Sequence, residues 1–136
     1  MGALDNVAVV KEWFRRLSEG EYDRMHELET DDVEWDIISG ASVGIVPWLG
    51  TFRGAAGVKD CLGKWAAAAQ SESFELFDFL TAGDDRVAVV GRTRVVARPT
   101  GRRFEINFVE YIRLNAGKIA YVRVFGDSAA ASAAFR

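Results

Sequence analysis

Apolar residues recur along this chain with two different periods, and the change from one to the other divides it. Over the first twenty residues Leu4, Val7, Val10, Trp13, Phe14 and Leu17 fall at helical spacing. Asp5 or Asn6 is placed to cap this helix, and Gly20 suits a left-handed C-terminal residue. A short second helix follows, with Tyr22, Met25 and Leu28 turned inward. Asp31-Asp32 reads as a turn into a strand over 33–38, with Val33, Trp35 and Ile37 on one face and Glu34, Asp36 and Ile38 on the other. A third helix is predicted from Gly54 to Ala69, with Val58, Leu62, Trp65 and Ala69 aligned.

Beyond that helix the period is two. Strands are predicted over 73–81, 87–98, 104–114 and 118–126. Turn residues separate them at Gly83-Asp84-Asp85, Pro99-Thr100-Gly101 and Asn115-Ala116-Gly117. The Ala-rich tail from Ser128 to Arg136 reads as a short terminal helix. Helices followed by a run of strands indicate an α+β domain with helices packed on one face of an antiparallel sheet. Residues 39–53, SGASVGIVPWLGTFR, are too apolar for an ordinary solvated loop. They are expected to fold onto the core, cover a pocket mouth or meet a partner.

Composition narrows the function classes. The chain has 136 residues, 49% hydrophobic and 27% charged, which fits one domain spanning residues 1–136 with a real core. The net charge of −3, with both signs interspersed, argues against nucleic-acid binding. Arg92, Arg94, Arg98, Arg102 and Arg103 read as solvated outer positions of a hairpin. The single cysteine, Cys61, reads as a buried small residue on a helix. The single histidine, His26, reads as a surface residue of the short helix. One His and one Cys make a zinc site or a nucleophilic triad improbable, and no metal or cofactor is expected. No apolar run is long enough to span a bilayer. The N-terminus lacks the basic start and apolar core of a signal peptide, so a cytoplasmic protein without membrane partners is expected.

One residue breaks the apolar pattern. Phe104, Ile106, Phe108, Glu110, Ile112 and Leu114 share a strand face, and Glu110 is the lone carboxyl among them. A glutamate is rarely buried unless paired or functional. In an apolar setting its charged form is disfavoured and its pKa rises, which suits a group exchanging protons near neutral pH. The alternative is a salt bridge to one of the basic residues, or a place at an open sheet edge.

The order of elements, with its punctuation, resembles the cone-shaped α+β fold of nuclear transport factor 2. Within that fold it resembles the SnoaL-like polyketide cyclase and ketosteroid isomerase group. The resemblance rests on Leu17-Ser18-Glu19-Gly20-Glu21-Tyr22, Asp31-Asp32-Val33-Glu34-Trp35 and Pro47-Trp48-Leu49-Gly50-Thr51-Phe52-Arg53-Gly54. It continues through Gly83-Asp84-Asp85-Arg86-Val87, Pro99-Thr100-Gly101-Arg102, Gly117-Lys118-Ile119 and Arg123-Val124-Phe125-Gly126-Asp127. It implies a curved antiparallel sheet and three N-terminal helices enclosing a pocket. Such a pocket would be lined by Trp13, Trp35, Ile37 and Leu62 from the first half of the chain. Thr93, Phe108, Ile112, Val122 and Val124 would line it from the second.

Carried over residue by residue, the resemblance leaves each of the group's acid–base sets incomplete. The isomerase base falls on Ile37, with Asp36 adjacent but on the other face. The isomerase tyrosine donor falls on Trp13, whose indole N–H donates but does not transfer a proton. The second oxyanion donor, a carboxyl kept neutral by an apolar site, falls on Glu110. The cyclase acid falls on Val124 and its partner histidine on Glu110. The epoxide-hydrolase set falls on Gly91, Thr93 and Val124. The implied function is an acid–base enzyme of isomerase, cyclase or hydrolase type, using Glu110 on a hydrophobic, oxygenated small molecule. The alternative is a non-catalytic ligand-binding or dimerisation protein of the same fold. The face opposite Glu110, with Val109, Tyr111, Tyr121, Arg123 and Phe125, has the mixture of an interface core, and a homodimer is expected.

Overall fold

The computed structural model describes residues 2–38 and 45–136. Helix α1 (Ala3–Ser18) and helix α2 (Tyr22–His26) precede strand β1 (Glu29–Ile38). Strand β2 (Gly50–Arg53) and helix α3 (Gly54–Ala68) follow. Strands β3 (Ala69–Ala82), β4 (Arg86–Ala97), β5 (Arg103–Asn115) and β6 (Lys118–Gly126) lead to helix α4 (Ser128–Ala134). The six strands form one sheet in the order β2-β1-β6-β5-β4-β3.

The sheet is mixed, not wholly antiparallel. β3 to β6 are joined by short turns and run antiparallel, but β1 lies parallel beside β6, with Trp35 opposite Val122 and Ile37 opposite Val124. A parallel pair requires a long connection, and here everything from β2 to β5 supplies it. Local turn signals carry no information about a pairing between such distant segments.

Several boundaries also differ from the sequence reading, among them that of β3, which begins at Ala69 and not at residue 73 because its first residues pair with the end of β4. Strand β1 begins at Glu29, because Asp31 and Asp32 sit in an irregular stretch of the strand between Glu29 and Glu34. Helix α1 starts at Ala3, so Asp5 is in its first turn, where its carboxyl accepts from the Gly2 amide at 3.2 Å. Asn6 lies inside the helix, buried, and its amide donates to the Asp84 carbonyl at 2.5 Å. Within 39–53, β2 was read as loop. Its residues Gly50 to Arg53 pair with Glu34 to Ile37, while Val46 and Trp48 are buried against the core. The expectation for residues 39–44 lies outside the described residues.

Alternation sorts the sheet into two chemical faces. On β4 Val87, Val89, Thr93, Val95 and Ala97 turn inward and are buried. Opposite them β5 presents Phe108, Glu110, Ile112 and Leu114. Two features bend this surface. Strand β3 has register shifts between Ser71 and Ser73 and between Leu76 and Asp78, and such bulges curve a strand. Gly91 of β4 faces Phe108, and a Cβ there would lie 2.6 Å from the Phe108 ring and 2.6 Å from the Glu75 carbonyl oxygen. Only glycine lets that ring lie against the sheet. The helices α1 and α3 close over the concave side, bringing Val10, Trp13, Phe14, Val58, Cys61 and Leu62 into the core. Gly20, with φ of 73°, terminates α1 in the left-handed conformation its position suggested.

Candidate active site

Glu110 sits in the middle of β5 on the concave face. Val89 lies opposite it on β4 and Val124 on β6. Its residue exposure is 9%. Burial alone raises its pKa to about 8, because nothing nearby favours the charged form. The salt-bridge alternative fails on facing. Arg92 pairs with Glu75 and Glu105, Arg94 lies 4.0 Å from Glu105, and Arg113 and Arg123 lie over the rings of Tyr121 and Phe125. All four basic residues belong to the convex face, across the sheet from Glu110.

Glu110 opens into a cavity of about 540 Å³ between the sheet and the helices. Of the residues expected to line it, Trp13, Trp35, Ile37, Leu62, Thr93, Phe108 and Val124 do so together with Glu110. Ile112 and Val122 do not. Both are fully buried and packed into the core, below the cavity floor. The sequence reading missed Trp48, Cys61, Trp65 and Phe74 as wall residues. Trp48 packs edge-on to Trp65 at 4.5 Å, and Phe74 stacks on Phe108 at 5.7 Å. Ser18, Ser71, Glu72, Gly126 and Asp127 also line the cavity and are exposed, so they mark its mouth.

The tryptophan walls are set by a residue that the sequence reading passed over. Glu29 is buried, and its Oε2 accepts from the indole N–H of Trp13 at 3.2 Å and of Trp35 at 2.9 Å. Its Oε1 lies 2.6 Å from Nδ1 of His26. His26 is therefore not a free surface residue; its side chain is 15% exposed and turned onto Glu29. One carboxyl thus ties α1, α2 and β1 together. The available signal was two tryptophans on predicted inward faces, each with a donor that burial obliges to find a partner.

This network decides what the cavity can do. Trp13 was expected to offer its N–H to a ligand, but that donor is committed to Glu29. Other carboxyls near the cavity are also engaged. Glu72 accepts from Arg103 at 3.1 Å, and Asp127 caps α4 through the Ala130 amide at 3.3 Å. Asp36 is on the convex side, accepting from Thr51 and Tyr121 at 3.4 Å each. Cys61 is held as a thiol, its pKa pushed up to about 12 by burial, and its Sγ lies 3.7 Å from the Trp48 carbonyl. Among the described residues no cluster of His, Cys, Asp and Glu could hold a metal ion. Glu110 is left as the one cavity carboxyl without a protein partner among the described residues.

A family model for the SnoaL-like domain matches residues 10–122. The chain belongs to the SnoaL-like domain family. No curated protein matches the chain. Among solved structures, a nuclear transport factor 2-like protein of Burkholderia xenovorans is 28% identical with a TM-score of 0.88, over 100% of this chain and 99% of that one. TerC, co-crystallised with polyporic acid, is 23% identical with a TM-score of 0.81, over 96% and 98% of the two chains. A protein of Mesorhizobium loti, provisionally described as a SnoaL-like polyketide cyclase, is 17% identical with a TM-score of 0.70, over 88% and 97%. The last two likenesses speak to the fold. No helix among the described residues is long and apolar enough to cross a membrane.

Two outcomes follow from this arrangement. In Glu29→Ala, two indole donors and His26 lose their acceptor, and each buried unpaired group costs about 1–3 kcal/mol. Urea unfolding should show a loss of about 2–5 kcal/mol, with tryptophan emission shifted to the red. A loss below about 0.5 kcal/mol would mean that the network does not hold the helices to the sheet.

Glu110 gives a pH signature. Its folded value of about 8 lies above the ordinary 4.5, so its contribution to stability is full below about pH 4.5 and is lost as pH rises through about 8. Wild type should lose on the order of 3–5 kcal/mol at most over that interval relative to Glu110→Gln. Parallel stability–pH curves for the two proteins, measured by denaturant melts, would contradict a buried, unpaired carboxyl.

Proposed function

We propose that this SnoaL-like protein is an acid–base enzyme, of the isomerase or cyclase type, acting on a hydrophobic small molecule with a polarisable carbonyl. The observation that carries this reading is Glu110: a carboxyl without a protein partner among the described residues, its pKa raised by burial to about 8, facing an apolar cavity of about 540 Å³. A neutral carboxylic acid is a hydrogen-bond donor. Placed against a substrate carbonyl it stabilises the negative charge that builds on oxygen as a carbon–hydrogen bond breaks or a carbon–carbon bond forms. The proton passes to that oxygen, and the proton released from carbon goes to the resulting carboxylate, which ends the cycle neutral again. The tryptophan walls orient the substrate and keep water out. The likeness to a provisionally described cyclase and to a protein crystallised with polyporic acid is in keeping with such a ligand.

A second reading, binding without turnover, draws on Ile37 and Val124. Both line the cavity, at the positions onto which the resemblance carries the isomerase base and the cyclase acid. The two readings separate in one measurement, the exchange of α-protons of 1-tetralone for deuterium, followed by NMR. Wild type should accelerate exchange, with a rate that falls above about pH 8 as Glu110 loses its proton. Glu110→Gln should lower that rate by about 10²-fold or more. Equal rates in the two proteins would remove Glu110 from the chemistry, and saturable binding of the ketone without exchange would favour the binding reading.

We also propose that the protein works as a cytoplasmic homodimer joined through the convex sheet face. Val109 is flanked by Val90 on β4 and Phe125 on β6. Exposures of 50% at Phe77, 59% at Leu80, 38% at Val109 and 48% at Phe125 make this an apolar surface with exposed residues on three strands, β3, β5 and β6, of the kind that marks an interaction site. The Arg92 and Arg123 guanidiniums lie 5.4 and 5.3 Å from the ring centroids of Phe77 and Phe125, and Arg and aromatic residues are both enriched in interface cores. Light scattering should give twice the 15.0 kDa mass of one chain, and Phe125→Glu should halve it. A wild-type monomer at micromolar concentration would overturn the assignment.

A further inference from the structure

The cavity has a second polar position that the Glu110 chemistry does not use. Ser71 and Thr93 share a hydrogen bond of 2.9 Å, and the Ser73 carbonyl accepts from Thr93 at 2.9 Å and from Ser71 at 3.2 Å. Thr93 is buried, while Ser71 is exposed at the mouth, and both line the cavity. Each hydroxyl proton has an acceptor within this triangle. What the pair turns toward the cavity is therefore lone-pair density on the Ser71 and Thr93 oxygens.

The register fixes how far this lies from Glu110. Thr93 pairs with Ile106 and Val89 with Glu110, so the two positions are offset by four residues along β4 and β5, about 13 Å at roughly 3.3 Å per residue. The Phe108 ring fills the interval, lying over Gly91 and stacked on Phe74 at an interplanar angle of 27°. The cavity therefore has a donor at its deep end, a flat aromatic middle and an acceptor at its mouth.

We propose that the Ser71–Thr93 pair is a specificity anchor that selects an elongated, flat ligand carrying a hydrogen-bond donor, a phenol or amine, at the end remote from its carbonyl. This rests on the reading that the ligand carbonyl is seated on Glu110. The pair sets the direction in which the ligand enters, carbonyl first, because a second carbonyl seated on this pair would meet acceptors only. Thr93 acts by holding Ser71, and Ser71 makes the contact.

The test uses 4-hydroxychalcone, 4-methoxychalcone and chalcone, which share a flat conjugated ketone and differ in the remote donor. All four tryptophans line the cavity, so quenching of their emission reports binding directly. Wild type should bind 4-hydroxychalcone about 5–10-fold tighter than 4-methoxychalcone, the worth of one hydrogen bond. In Ser71→Ala and in Thr93→Val that ratio should fall to about one, with circular dichroism verifying the fold of each. Ser71→Ala changes an exposed side chain and serves if Thr93→Val does not fold. An unchanged ratio in Ser71→Ala, or tight binding without preference in wild type, would overturn the anchor while leaving the Glu110 reading intact. A preference lost in Ser71→Ala, with the affinity of all three ketones insensitive to Glu110→Gln, would support the anchor and remove the carbonyl seat. Failure of wild type to bind any of the three would overturn both.

Discussion

The carboxyl of Glu29 is the contact on which the rest of this structure depends. It accepts from two indoles on different elements and meets a histidine on a third. Trp13 and Trp35 then sit edge-on to each other at 5.5 Å, fixed in direction as well as in contact. An apolar cluster by itself tolerates repacking with little preference among arrangements. Directional bonds to a single buried acceptor remove that freedom. The cavity keeps two walls of defined orientation because a polar group outside it holds their far edges.

Charge is distributed between the two sides of the sheet with the same economy. Along β4 and β5 the arginines and their acidic partners occupy the convex face, where Arg92 reaches both Glu75 and Glu105. Those surface pairs contribute little individually to stability. Their placement nevertheless keeps positive charge across the sheet from Glu110, with no cation near enough to hold its carboxyl ionised. Strand alternation, a property of the backbone, thus keeps these arginines off the concave face, where burial raises the Glu110 pKa.

What was legible in the sequence follows from how local each signal is. The helices, the antiparallel strands and Glu110 as an acid on an apolar strand face all come from periodicity within ten or fifteen residues. The SnoaL-like resemblance extended this to the arrangement of the domain. The parallel β1–β6 pairing and the short strand β2 depend on segments distant in the chain, which no local period encodes, while His26 turns inward onto Glu29 three residues on, a polar contact that apolar periodicity does not register. Ile112 and Val122 illustrate the same limit. They share a face with cavity residues, but strand pairing places them opposite each other, where the core is filled. Alternation tells which face a side chain takes, and not how far along the strand the cavity extends.

Val124 gives the missing acids a physical meaning. It lies directly across from Glu110 on β6, at the position onto which the SnoaL-like resemblance carries the cyclase acid. Two facing carboxyls share a proton, and the pair then titrates in two coupled steps. With valine there, no second charge is present, and desolvation alone raises Glu110 to about 8. The exchange of an acid for an apolar residue removes one proton-transfer group and, at the same time, adds to the dry surroundings that keep the remaining one protonated. Under the proposed acid–base reading, a site with one neutral acid favours chemistry that this acid can carry alone, polarising a carbonyl and recovering its own proton, over chemistry that requires a separate base to act at the same moment.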